Sequence, residues 1–120
     1  MSTWLLIAAI NGFLAVAAGA FGAHGLKEHL DAHALSVFET AARYQMYHAL
    51  AMGLAALAPR SSAARLACAL FLVGIILFSG SLYLLALTGM RALGIVTPFG
   101  GAAFLAGWAA LASAAARMRE

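Results

Sequence analysis

From Thr40 to Leu57 the chain reads TAARYQMYHALAMGLAAL, a hydrophobic run that opens with an arginine, two tyrosines, a glutamine and a histidine. An ionisable group near or inside lipid is costly, so it needs a partner, a water-filled cavity or a task. Glu39 and Arg43 stand four apart with the acid first, the favourable order for an ion pair along one helix. Such a pair serves either as a snorkelling arginine steadied by its neighbour or as a contact for an anion or lipid headgroup. Tyr44 and His48 share a helical face, and Tyr47 lies one turn beyond Arg43. Tyrosines at this depth commonly form an interfacial belt. His48 sits five residues beyond Arg43, about 7 Å deeper. It suits either a hydrogen bond to a neighbouring helix or a proton-labile ligand contact.

Other chemistry finds less support. His29 and His33 are four apart, which would put two imidazoles on one helical face, but Leu30 follows His29 where a zinc-protease signature needs glutamate. Spacing fixes no third ligand among His24, Glu28 and Asp31, so a solvated polar loop is favoured over a metal site. The single cysteine, Cys68, lies in an apolar stretch and has no CxxC partner. Ser79 and Ser81 lack an assigned base, and no cofactor motif is present. No cofactor is expected, and a non-enzymatic role is favoured over catalysis.

These residues need elements to position them, and the composition sets what those elements are. The chain has 120 residues, 65% hydrophobic and 9% charged, against roughly 25% charged in average soluble domains. Charged side chains are absent from Met1 to Leu26, from Leu66 to Met90 and from Ala92 to Ala116. Each stretch exceeds the roughly 20 apolar residues that cross a hydrocarbon core. The first lacks a basic leading region and is too long for a secretory signal, so it is expected to be retained as a membrane helix. The net charge of +3 comes without a basic stripe or interleaved aromatics, which argues against nucleic-acid binding.

The expectation is an all-α membrane protein, a four-helix transmembrane bundle forming one domain over residues 1–120. Its helices fall at about 4–23, 36–58, 66–87 and 93–116, with Pro59 ending the second. Short connections make successive helices antiparallel neighbours. The 24–35 connection carries GLKEHLDAHAL and suits a short amphipathic helix at the interface, with Leu26, Leu30 and Leu35 toward lipid. Basic residues favour both termini in the cytoplasm, with the N-terminus, Arg60, Arg65, Arg117 and Arg119 on one side against Lys27 and Arg91, or these two with Arg43, on the other. Ala8, Gly12, Ala15, Gly19 and Ala23 make a small-residue stripe on the first helix. Ala49 with Gly53 and Ala103 with Gly107 extend small spacing to the second and fourth. Thr97-Pro98 marks a first-turn proline or a kink.

Placed on such a bundle, His24, Glu39, Arg43, Tyr44, Gln45, Tyr47, His48, Ser79, Ser81, Tyr83 and Thr97 gather in one half of the membrane, the extracytoplasmic half by the charge bias. The other half is almost purely apolar, with Asn11 its main exception. A polar pocket open toward the 24–35 connection follows. The alternative is a set of interhelical hydrogen bonds that lock the bundle.

GAFGAHGL at Gly19–Leu26, FETAARYQMYHALA at Phe38–Ala51, LFSGSLYLLALTG at Leu77–Gly89 and TPFGGAAFLAGW at Thr97–Trp108 resemble family 423 of the domains of unknown function. These are small bacterial inner-membrane proteins related to animal transmembrane protein 256. The resemblance implies a multi-pass bundle in the inner membrane and brings no activity with it. His29 and His33 fall between the matching motifs. The leading expectation is a protein that binds a lipid headgroup or membrane partner, with Arg43 as anion contact, Glu39 orienting it, and His24, Tyr47 and His48 as walls. A minimal transporter or channel is the alternative; four short helices would then need a homo-oligomer to enclose a path.

Overall fold

The computed structural model describes residues 3–119, which fold into helices and turns with no strand among them. Helix α1 (Thr3–His24) runs unbroken through a segment with no charged residue and ends before Gly25. Helix α2 (Ala32–Leu57) starts four residues earlier than hydropathy suggested. Asp31 is its N-cap, the carboxylate accepting the Ala34 N–H at 2.8 Å. The same device sets the start of α3 (Ser62–Gly74), where the Ser61 hydroxyl accepts the Ala64 N–H at 3.0 Å. The third rod continues through a π turn (Ile75–Ser79) into α4 (Gly80–Thr88), closed by Gly89 at φ 73° with its N–H on the Leu85 carbonyl. A 3₁₀ turn (Arg91–Ile95) leads into α5 (Thr97–Arg117), where Pro98 fills the first turn without kinking the helix.

The expected interfacial helix does not form. Residues 25–30 make hydrogen-bonded turns, with the His29 and Leu30 N–H groups both on the Leu26 carbonyl. Leu26 points inward and is buried with Phe38 and Ala86, while Leu30 and Leu35 pack against that cluster. A connection that plugs the end of the bundle gains more by burying its leucines in protein than by laying them on lipid.

The rods form a row. α1 packs on α2, α2 on the α3–α4 rod, and α5 on α3 and the π turn. The molecule is therefore flat in section, 53 × 26 × 19 Å. Ala8 lies opposite Gly53, and Gly22 takes the Phe38 ring, so α1 and α2 run antiparallel. The main core, with Met52, Cys68 and Phe71 nearly solvent-free, sits between α2, α3 and α5. Close approach of α3 and α5 depends on glycine. Phe104 lies over Gly74, and Phe71 lies over Gly107 where a Cβ would fall 2.7 Å from its ring.

Three stretches are long and apolar enough to cross a membrane: Thr3–His24, Ser62–Thr88 and Arg91–Arg117. α2 is long enough, at 26 residues or about 39 Å, but its polar residues keep it out of that set. The small-residue stripe of α1 is only partly used inside the chain. Ala8, Asn11, Ala15 and Gly22 are the buried positions. A Cβ added at Gly12 or Gly19 would meet no described residue within 4 Å beyond its own helix turn.

Candidate functional site

The eleven polar residues do not share one pocket. They separate into four groups, each set by which face of α2 or of the third rod carries it.

The first group is a buried chain of hydrogen bonds through three helices. The Tyr83 hydroxyl donates to Gln45 Oε1 at 2.7 Å, Gln45 Nε2 donates to Asn11 Oδ1 at 3.1 Å, and Asn11 Nδ2 donates to the Ile7 carbonyl at 2.9 Å. Both amides use one donor hydrogen and the carbonyl oxygen inside the protein, which ties Tyr83, Gln45 and Asn11 into one line. Asn11, an outlier in the apolar half by sequence, turns out to be the partner that Gln45 requires.

The second group surrounds His48. Its Nε2 accepts from Trp108 Nε1 at 3.1 Å, and its Nδ1 lies 2.8 Å from the Tyr44 carbonyl. An indole N–H can only donate and a carbonyl can only accept, so these partners assign the neutral tautomer with the proton on Nδ1. Phe104 stacks on the imidazole, ring centroids 3.5 Å apart and planes 6° apart. Trp108 meets it edge-on at 6.0 Å. The ring is thus clamped on both nitrogens and one face. Neither Ser79 nor Ser81 reaches it, so no hydroxyl–imidazole pair of the kind used in nucleophilic catalysis forms among the described residues.

His48 lies on one side of an aromatic cleft between α2 and α5, of about 710 Å³. Tyr44, Tyr47, Phe78, Phe104, Leu105 and Trp108 form most of its wall. α5 packs on the third rod, and rings of Tyr44, His48, Phe104 and Trp108 bridge it to α2. The Tyr44 and Tyr47 hydroxyls have no hydrogen-bond partner among the described residues.

In the third group, the Ser81 hydroxyl donates to the Phe78 carbonyl at 3.0 Å and meets Thr97 Oγ1 at 2.6 Å. This pair fastens α4 to the start of α5. Ser79, in the π turn, is wholly buried and its hydroxyl has no hydrogen-bond partner among the described residues. The last group, His24, Glu39 and Arg43, is exposed. Glu39 and Arg43 line a separate groove between α1 and α2, and no ion pair joins them. His24 lines none of the grooves described here.

The expected anion pocket walled by His24, Arg43, Tyr47 and His48 is therefore two surfaces, one aromatic and one charged, with Tyr47 lining both. Helical spacing explains the division, since Arg43 and His48 are five apart and project about 140° from each other around α2. His29 and His33 lie in the exposed connection and first turn of α2, and no group of three or more His, Cys, Asp or Glu side chains that could hold a metal occurs among the described residues. Sequence reasoning missed Phe104 and Trp108. Their signal was an aromatic pair at i, i+4 in an otherwise small-residue helix.

Over residues 18–101 the chain matches the family described as "Protein of unknown function (DUF423)". It is 44% identical over 110 residues to the UPF0382 membrane protein SAB0533 of Staphylococcus aureus (strain bovine RF122 / ET3-1), covering 90% of each chain. Identity is 43% over 121 residues to the UPF0382 membrane protein YwdK of Bacillus subtilis (strain 168), with 98% of each covered. It is 47% over 119 residues to the UPF0382 inner membrane protein YgdD of Escherichia coli (strain K12), with 97% of this chain and 91% of that protein covered. No solved structure matches.

Proposed function

Because the chain belongs to the DUF423 family, with relatives named as UPF0382 membrane proteins, we propose that it works inside the bilayer as a binding protein for an amphiphile. The ligand lies in the aromatic cleft between α2 and α5. One observation carries this reading: the cleft is apolar along Phe78, Phe104, Leu105 and Trp108, yet has two unpartnered phenols, Tyr44 and Tyr47, among its walls. His48 adds no unmet polar group, because both ring nitrogens are engaged. Such a site suits a hydrocarbon chain with a hydrogen-bond acceptor at one end, the chemistry of a lipid ester or phosphate. Arg43, the anion contact favoured from sequence, lines the other groove; the phenols take over that role.

In this reading α2 is the fourth crossing. Its polar side chains are tolerated because Gln45 and His48 are buried and hydrogen-bonded inside the protein. Arg60, Arg65, Arg117 and Arg119 then hold their end of the bundle in the cytoplasm. The amino terminus counted on that side lies outside the described residues.

Native mass spectrometry of the protein released from its own membrane tests the proposal. Wild type should carry a lipid-sized mass. Ala102→Trp, which fills the cleft from an exposed wall position, should lose it with the subunit count unchanged, and Tyr44→Phe should retain less. A bare wild-type protein, or a mass that persists with the cleft filled, would refute the proposal.

A further inference from the structure

The groove holding Glu39 and Arg43 has a volume of about 330 Å³ and is walled on the α1 side by Ala15 and Gly19. Its depth matters. With Ala8 opposite Gly53 and Gly22 opposite Phe38, α1 and α2 residues at one level have numbers adding to about 60. The Arg43 backbone is then level with Ala17, seven residues or about 10 Å inside the His24 end of a membrane-spanning helix. Snorkelling toward that end shortens the distance by the length of the side chain. Yet Arg43 and Glu39 are exposed on the single chain and form no ion pair among the described residues.

We propose that this face of α1 and α2 docks a second copy of the chain, with Glu39 of each protomer paired to Arg43 of the other. Two copies inserted the same way are related by a two-fold axis along the membrane normal, so α2 runs parallel to its copy. Arg43 lies one turn, about 6 Å, deeper than Glu39, an offset its long side chain spans.

Charge complementarity selects this occupant. The patch carries one acid and one base, so a second copy supplies both counter-charges in one symmetric contact. A lipid anion drawn to Arg43 would also face Glu39. Gly19 supports the choice independently. Beyond its own helix turn, no described residue lies within 4 Å of where its Cβ would be, so packing against α2 does not account for it, and a small surface there lets two backbones approach. Gly12, two turns away on the same stripe, is open in the same way.

Subunit counting by single-molecule photobleaching in liposomes is the test. Wild type is expected as dimers. Glu39→Arg alone and Arg43→Glu alone should each weaken association by about tenfold or more, since each sets like charges against one another. Mixed together, the two variants should associate with each other, because one presents only bases and the other only acids. Charges serving only within one chain predict no such rescue. Gly19→Leu should also release protomers while helical content stays unchanged, since a Cβ there meets no described residue beyond its own helix turn and the rest of the side chain fills the open groove. Wild type counted as single subunits overturns the proposal, whether or not a lipid or another protein covers the face. So do dimers that persist in all three variants. Failure here leaves the cleft proposal standing, since no residue tested lines that cleft.

Discussion

Gly100 and Gly101 are neighbours in the first turns of α5, and replacing each with alanine should move stability in opposite directions. A Cβ at Gly100 would fall 2.7 Å from both the Cα and the Cβ of Phe78, whereas one at Gly101 would meet only the Phe78 ring edge, at an ordinary 3.9 Å. Relieving the first clash requires α5 and the π turn to separate by roughly 1 Å, because the blocking atoms include backbone with no rotamer to change. Overpacking of this kind costs about 1–3 kcal/mol, and a backbone clash belongs in the upper half of that range. Alanine's helix preference over glycine, up to about 1 kcal/mol, offsets part of the loss at Gly100 and acts alone at Gly101. The neighbours should therefore differ by about 2–3 kcal/mol, a factor of roughly 30–150 in the unfolding equilibrium. The chain supplies its own probe, since its one cysteine, Cys68, is 1% exposed. A fluorogenic maleimide should report unfolding as that thiol emerges during an SDS titration. Gly100→Ala should unfold at distinctly lower SDS than wild type, and Gly101→Ala at the same or higher. Equal midpoints for the two variants would mean that α5 does not approach the Phe78 backbone this closely.

Two further substitutions probe the polar chemistry with the same titration. Gln45→Leu removes two interhelical hydrogen bonds and leaves Asn11 Oδ1 and the Tyr83 hydroxyl without partners, for an expected loss of about 1–3 kcal/mol. Tyr83→Phe should cost only about 0.6 kcal/mol, and the double variant less than the sum, because both act on one bond; strict additivity would contradict the observed chain. Trp108→Phe keeps the aromatic contact but deprives His48 Nε2 of its donor, for a loss of about 1 kcal/mol. A Trp108→Phe variant as stable as wild type would show that the indole contributes through its ring alone.

Most of the architecture was legible because lipid imposes a simple rule on sequence. Uncharged stretches beyond Leu66 and Ala92 mark helices whatever they pack against. Ends were harder to place, because caps are side-chain events that hydropathy averages away. Asp31 and Ser61 each begin a helix four residues before the apolar signal does. The site was half legible. Residue type singled out Gln45, His48 and Tyr83 as polar groups in an apolar chain, but which partners they meet depends on helix order and rotation. That is why Asn11 and Trp108, which supply those partners, were not connected to them from sequence. The same limit made Arg43 and His48 look like one pocket: both are polar and close in number, yet five residues of helix turn them to different neighbours. Ser79 looked like a pocket wall and proved to be enclosed.

The π turn at Ile75–Ser79 gives the third rod two independent angular settings. One residue more than an α-helix needs rotates everything beyond it by about 100°. Before the turn, Phe71 and Gly74 are aimed at α5; after it, Tyr83 reaches α2 and Ser81 reaches Thr97. A relative lacking one residue in this segment would keep the same hydropathy and nearly the same length, while Tyr83 swung off Gln45 and Ser81 off Thr97. Among such proteins, a single-residue gap here would signal a rewired bundle that overall identity does not register.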